Sequence, residues 1–175
     1  MFEALVAQAG ISPQPSLAEV VRAVHAIPHG RPSEPTAQAV LAEWRGTSST
    51  KHELLSSVVA ERWPQAQPRL VHRVYRCTPE LARGRFGEKA ASAVPENGLW
   101  DVHRYLTVAV EGERVTIDVT FPHTPEWDGI SSMPVAVGEG SDHEAGPDPN
   151  REKRVLEAAR CDPAVREPFI AALSA

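Results

Sequence analysis

Hydrophobic residues change period along the chain, and the changes outline the fold. Leu17, Val20, Val21, Val24 and Ile27 recur at helical spacing. Ser16 stands where an N-cap belongs, and Pro28 with Gly30 ends the run. Pro35 opens a second helix to about Trp44, with Thr36 or Ser33 near its cap. Gly46 breaks that helix, and a third runs from about Ser48 to Trp63, where Pro64 stops it. From Arg69 the period shortens. Leu70 through Cys77 reads as a strand, followed by a polar, glycine-containing excursion to about Gly98. Two further strands, Trp100 to Val110 and Arg114 to Phe121, flank the compact turn signal Glu111-Gly112. Residues 122–149 form a long loop rich in Gly, Pro, Asp and Ser. Helical patterns return near Glu152 to Arg160 and Ala164 to Ser174, the second opened by Asp162 and Pro163. Helices, then an antiparallel sheet, then helices predict a single α+β domain over residues 1–175.

Composition narrows the partners. The chain is 42% hydrophobic, enough for a core without metal or disulfide staples. Its formal charge is −5, with acids and bases interspersed and no basic stripe, which argues against nucleic acid. Of 18 basic residues only Lys51, Lys89 and Lys153 are lysines. Alongside abundant alanine, that imbalance fits GC-rich, bacterial coding better than an arginine-dependent function. No apolar run approaches the roughly 20 residues of a membrane span, and Met1 to Leu5 lack a secretion signal's basic start, so a cytoplasmic location is expected. Cys77 and Cys161 then read as small buried hydrophobes, reduced and without metal-ligand spacing. His25 and His29 have i,i+4 spacing, but Pro28 interrupts it; no metal and no cofactor are expected.

The 100–121 hairpin contains its own geometric test. With Glu111 and Gly112 as the two loop residues, Val110 faces Glu113 and Tyr105 faces Asp118. His103 then shares the face of Tyr105, diagonal to Asp118, at about 7–8 Å between Cα atoms. A register shifted by one would put them on opposite faces. Upstream, Arg45-Gly46-Thr47-Ser48-Ser49-Thr50-Lys51-His52-Glu53-Leu54-Leu55 places Ser48 at a helix start. First-turn N–H groups there stabilise an anion and lower a thiol's pKa. His52, one helical turn on, reads as a packed, hydrogen-bonded histidine rather than a base.

Together, the Gly-Thr-Xaa-Ser-Thr-Lys-His-Xaa-Leu-Leu string, His103 and Asp118 resemble the transglutaminase-like superfamily, over roughly residues 28–122. That family usually reads Gly-Thr-Cys-Ser in the first piece; here the cysteine position is Ser48. The resemblance implies a papain-like α+β fold with the nucleophile helix packed on a small antiparallel sheet. It further implies a catalytic triad in which Ser48 holds the nucleophile position, His103 is the base and Asp118 fixes its tautomer. The implied chemistry is attack on an amide or related acyl carbon, with the acyl-enzyme passed to water (a hydrolase) or to an amine (an acyltransferase).

Three accounts of Ser48 stay open: a cysteine-to-serine change that silences an intact site, a non-catalytic pseudoenzyme that binds through the same pocket, and a genuine serine nucleophile. The last is chemically hardest, since a helix dipole worth under about 2 kcal/mol cannot ionise a hydroxyl at neutral pH. The 122–149 loop is long for a compact domain and suits a substrate wall. Trp127 and Asp128, with Asp142 and the hairpin's Tyr105, are the candidate substrate-binding residues. The chain's size points to a small-molecule or short-peptide substrate.

Overall fold

A computed structural model describes residues 1–173; Ser174, expected at the end of the last helix, lies outside the described residues. Among those described, eight α-helices accompany one four-stranded sheet. The helices are α1 (Phe2–Ala9), α2 (Leu17–His25), α3 (Ala37–Glu43), α4 (Ser48–Arg62), α5 (Pro79–Phe86), α6 (Glu88–Ser92), α7 (Pro149–Arg160) and α8 (Pro163–Leu173). The strands are β1 (Arg69–Cys77), β2 (Leu99–Val110), β3 (Glu113–Ile117) and β4 (Gly140–Glu144), in the order β3-β2-β1-β4. The α+β class therefore holds. Among the described residues no helix is long and apolar enough to cross a membrane. The chain groups into two compact units, residues 1–70 with 105–135, and residues 71–104 with 136–175.

In the first unit, capping sets the helix starts. Ser16 accepts from the Glu19 N–H while Glu19 accepts from the Ser16 N–H, a complete capping box on α2. Thr36 caps α3, which ends at Trp44 in the left-handed region with φ 51°. Behind these caps, Val20, Val21 and Val24 of α2 and Leu54, Leu55, Val58 and Val59 of α4 are buried. The β2–β3 hairpin has the expected register, from Val110 opposite Glu113 to Leu106 opposite Ile117. Glu111 and Gly112 have φ of 51° and 88°, the pair of positive values that a tight two-residue hairpin turn requires. β3 stops at Ile117 rather than Phe121. Its outer edge is covered by the loop, with the Met133 N–H donating to the Thr116 carbonyl and the Thr116 N–H to Ser132 Oγ.

The pattern missed α1 in the first unit, and the second unit contains the other elements it did not foresee. The excursion after β1 holds two short helices, with Thr78 capping α5. A strand, β4, emerges from the long loop, pairing antiparallel with β1 from Val71 opposite Glu144 to Tyr75 opposite Gly140. Every residue of β4 is exposed, so no alternation marks it. Glycine does: a Cβ at Gly140 would lie 2.3 Å from the Val74 carbonyl oxygen. α7 begins three residues earlier than its apolar pattern, because Asp148 accepts from the Arg151 N–H and Pro149 fills the first turn.

This unit's interior is partly ionic. Asp101, buried on β2, accepts from Arg166 Nε of α8 at 2.5 Å and from the Tyr75 hydroxyl at 3.2 Å. Arg166 also donates to Glu157 at 2.9 Å, and Lys153 pairs with Glu157 at 2.6 Å. Burial opposes the charge on Asp101, but Arg166, Lys153 and its hydrogen bonds outweigh burial and hold its pKa below the ordinary value. Asp101→Asn keeps the shape and removes the charge. It should cost about 3 kcal/mol in chemical denaturation, since a buried cation loses its partner; a loss below about 1 kcal/mol would mean that Glu157 alone suffices for Arg166.

Candidate functional site

Ser48 is the first residue of α4, and its hydroxyl is half-buried with no hydrogen bond among the described residues. The residues around it have structural tasks. Thr47 is the N-cap, accepting from the Thr50 N–H, and Thr50 Oγ1 accepts from the Thr47 N–H at 3.0 Å. Gly46 lies in a parallel bridge with His29, donating to the Pro28 carbonyl and accepting from the Gly30 N–H. A Cβ at Gly46 would lie 2.7 Å from Lys51 Cγ and 3.2 Å from Val40 Cγ2, so only glycine lets the chain pass.

Lys51 is the feature the sequence reading passed over. It is 0% exposed, and its amine donates to the carbonyls of Ile27 at 2.7 Å, His25 at 3.0 Å and Thr120 at 3.2 Å. Three acceptors match an ammonium's three protons. Burial nevertheless pulls its pKa from the usual 10.5 down to about 7, against Asp118, whose charge favours the ammonium. A signal existed: Lys51 opens the stripe continued by Leu54, Leu55, Val58 and Val59, where a solvent-facing lysine has no place.

His52 lies beside it, fully buried. Its Nδ1–H donates to the Ser48 carbonyl at 2.6 Å, and Nε2 accepts from the Val119 N–H at 3.0 Å. Those bonds fix the neutral tautomer. Asp118 Oδ1 lies 3.7 Å from Nε2, close but sharing no proton with it. The same oxygen accepts from the Thr120 hydroxyl at 2.6 Å and the Thr120 N–H at 3.1 Å. His52 is thus a structural link between the start of α4 and the segment after β3. His25 and His29 serve separately. The His25 Nε2 meets the Phe121 carbonyl at 2.8 Å, burial lowering its pKa, while the His29 ring packs on Phe121 with centroids 4.8 Å apart.

Of the sequence-derived site residues, the first unit contains Ser48, Asp118, Tyr105, Trp127 and Asp128. His103 is buried on the part of β2 assigned to the second unit, which also contains Asp142. Trp127 is 2% exposed, and its indole N–H donates to the Ser131 carbonyl at 2.7 Å, so its ring packs inward rather than facing solvent. Asp128 is exposed but turns inward on its own loop, Oδ1 accepting from the N–H groups of Ile130 and Ser131; these bonds lower its pKa. Tyr105 is buried. Asp142 forms a two-bond pair with Arg73 across β4 and β1, each bond 2.7 Å. Cys77 and Cys161 are free thiols, pushed up by burial to about 12 and about 11. Among the described residues no cluster of three or more His, Cys, Asp or Glu is placed to hold a metal ion.

No family model, curated protein or solved structure matches the chain. The buried polar cluster beside the start of α4 can be checked through Lys51. Between pH 7 and 10.5 the unfolded lysine holds a proton that the folded one has released, so its contribution makes stability rise with pH across that window. Lys51→Met should lack this rise, and at pH 9 should be less stable than the parent by about 2–4 kcal/mol, because buried carbonyls lose their donor. Denaturant titrations of both proteins at pH 7 and pH 9 measure it. Equal pH slopes would show that Lys51 keeps its proton throughout.

Proposed function

We propose that this chain carries a transglutaminase-like acyl-transfer site whose nucleophile position is occupied by Ser48, so that the chain binds an amide or acyl substrate but turns it over weakly or not at all. One observation carries the reading. Ser48 opens a 15-residue capped helix, and its hydroxyl is uncommitted while Thr47, Thr50, Lys51 and His52 all hold structure. A side chain at that position meets the first-turn N–H groups and the positive end of the helix, where an oxyanion or a thiolate is stabilised. The assignment of His103 as base and Asp118 as its orienting acid rests on residue order and on the hairpin register. The substrate class proposed is a small amide, ester or short peptide, without a cofactor.

Sulfur in place of oxygen tests it. In Ser48→Cys the new thiol should be alkylated by iodoacetamide well below the pH at which Cys77 or Cys161 reacts, given their values of about 12 and about 11. Adding His103→Ala should move the labelling midpoint upward, towards the ordinary value of about 8.5. Assayed against a panel of amides, esters and short peptides, turnover confined to Ser48→Cys identifies a silenced enzyme. Turnover by the parent that disappears in Ser48→Ala identifies a serine hydrolase. A Ser48→Cys thiol with an ordinary midpoint, unmoved by His103→Ala, would sink the acyl-transfer reading.

A further inference from the structure

No residue of α7 is fully buried, and a groove of about 540 Å³ lies beside it, lined by Val155 and Leu156 of the helix and by His72 of β1 and His143 of β4. A helix with so little buried hydrocarbon is weakly held by packing. Polar contacts hold α7 instead, and they fall at its two ends. Towards the C-terminal end, Glu157 accepts from Lys153 at 2.6 Å and from Arg166 of α8 at 2.9 Å, and Arg166 reaches Asp101. At the first turn, the Arg104 guanidinium of β2 donates to the Pro149 carbonyl at 2.8 Å and to Asn150 Oδ1 at 2.9 Å.

His72 lies against that first turn, with both ring nitrogens shut off from water. The charged groups that act on it are positive: Arg104 from β2, Lys153 from α7, and His143 directly opposite on β4. The start of α7 adds the positive end of its dipole. The acids nearby are engaged elsewhere. Asp148 accepts from the Arg151 N–H, and Glu152 accepts from the Gly146 N–H at 2.8 Å. Asp142 pairs with Arg73, and period two turns it and Glu144 to the face of β4 opposite His143. Burial first, then Arg104, Lys153 and His143, lower the His72 pKa to about 4, and the Pro149 carbonyl only partly offsets them. With α7 in place the ring is therefore neutral at pH 7.

We propose that α7 is an acid-released strap: residues 149–153 lift away from His72 and Arg104, a proton on His72 holds them away, and the Glu157 end stays clamped. The proton cannot enter the closed seat, because water does not reach either nitrogen. It binds as the turn lifts and the ring meets solvent, where an imidazole titrates at about 6.5. A charged ring beside Arg104 and the positive end of α7 then resists reclosure. The sign follows from linkage. Closure is fully favoured above pH about 6.5 and loses ground as pH falls towards 4, because the open ring takes up a proton that the closed ring refuses. Lys153 and Arg166 keep Glu157 in place, so the movement pivots there. The strap is independent of Ser48 and of the chemistry proposed there.

Amide hydrogen exchange of the full chain, followed by NMR at pH 7 and pH 5 and corrected for intrinsic rates, tests it. The reporters are the N–H groups of Glu152, Lys153 and Arg154, which close the first turn of α7. Their opening constant should rise about 20-fold between pH 7 and pH 5, as values of about 4 closed and about 6.5 open require. Over the same range Ala159 to Cys161, and Leu54 and Leu55 of α4, should change by less than about twofold. His72→Phe should remove the rise and His143→Gln should keep it, with circular dichroism checking that each variant folds. A parent whose reporters rise less than about threefold overturns the proposal without recourse to any variant. So do reporters already unprotected at pH 7, which would mean that the turn is not seated. An equal rise at Ala159 to Cys161 or in α4 would replace the strap with wholesale unfolding, and a rise that survives in His72→Phe would place the titrating group elsewhere.

Discussion

Three carbonyl oxygens from three places in the sequence converge on the Lys51 amine, at a depth that water does not reach. Two of them, from His25 and Ile27, belong to the end of α2 and the residues just past it, where a helix leaves carbonyls without partners. The third, from Thr120, belongs to the segment that leaves β3. An apolar side chain at position 51 would fill the space and leave all three unsatisfied. Lysine fills it and supplies the donors. Its amine thereby ties α2, α4 and the exit of the hairpin together. The ammonium is tolerable at that depth only because its hydrogen bonds and the charge of Asp118 work against burial.

Much of the surrounding sequence follows from this tie. Lys51 needs a straight run inward from α4, and Gly46 is the residue that leaves room for it. α4 must begin at a fixed point for Lys51 to reach, and the reciprocal Thr47–Thr50 cap sets that point. His52 then holds the same segment one step earlier, through the Val119 N–H. The string that resembles the transglutaminase-like family is thus largely a set of packing and hydrogen-bonding requirements. Each could be kept for stability alone. Position 48 differs, because no contact of its hydroxyl among the described residues accounts for the residue there. Within the motif, Ser48 alone is left without a structural task.

What could be read in advance depended on whether a signal was local. Caps, prolines and the two-residue turn act over four residues or fewer, and they placed α2, α3, α4, α8 and the 110–113 turn close to where they lie. The hairpin register followed because period two leaves no freedom once the turn is fixed. β4 has no such signal. It is wholly exposed and polar, and it becomes a strand by pairing with an edge about seventy residues earlier in the chain. α5 and α6 were hidden by composition, their glycines and charges reading as loop although Thr78 and Pro79 supply a proper start. At the site, Ser48 was legible as a helix start and His52 as a packed ring. Lys51 was not, because burying an ammonium runs against composition rules and depends on carbonyls that only the folded chain brings together. The burial of Trp127 was hidden for the opposite reason: an aromatic in a Gly- and Asp-rich loop suggests an exposed ring, but its indole N–H closes a short turn to Ser131 and carries the ring inward.

Both units pair buried polar groups from within. In the first, Lys51, His52, Asp118 and His25 each meet partners at hydrogen-bonding distance, so their polarity holds the fold. In the second, Asp101 meets Arg166 and the Tyr75 hydroxyl, and Lys153 meets Glu157. Polarity buried in this way fixes which segments can meet, because a wrong pairing would leave a buried charge without its partner, at a cost of about 3–5 kcal/mol.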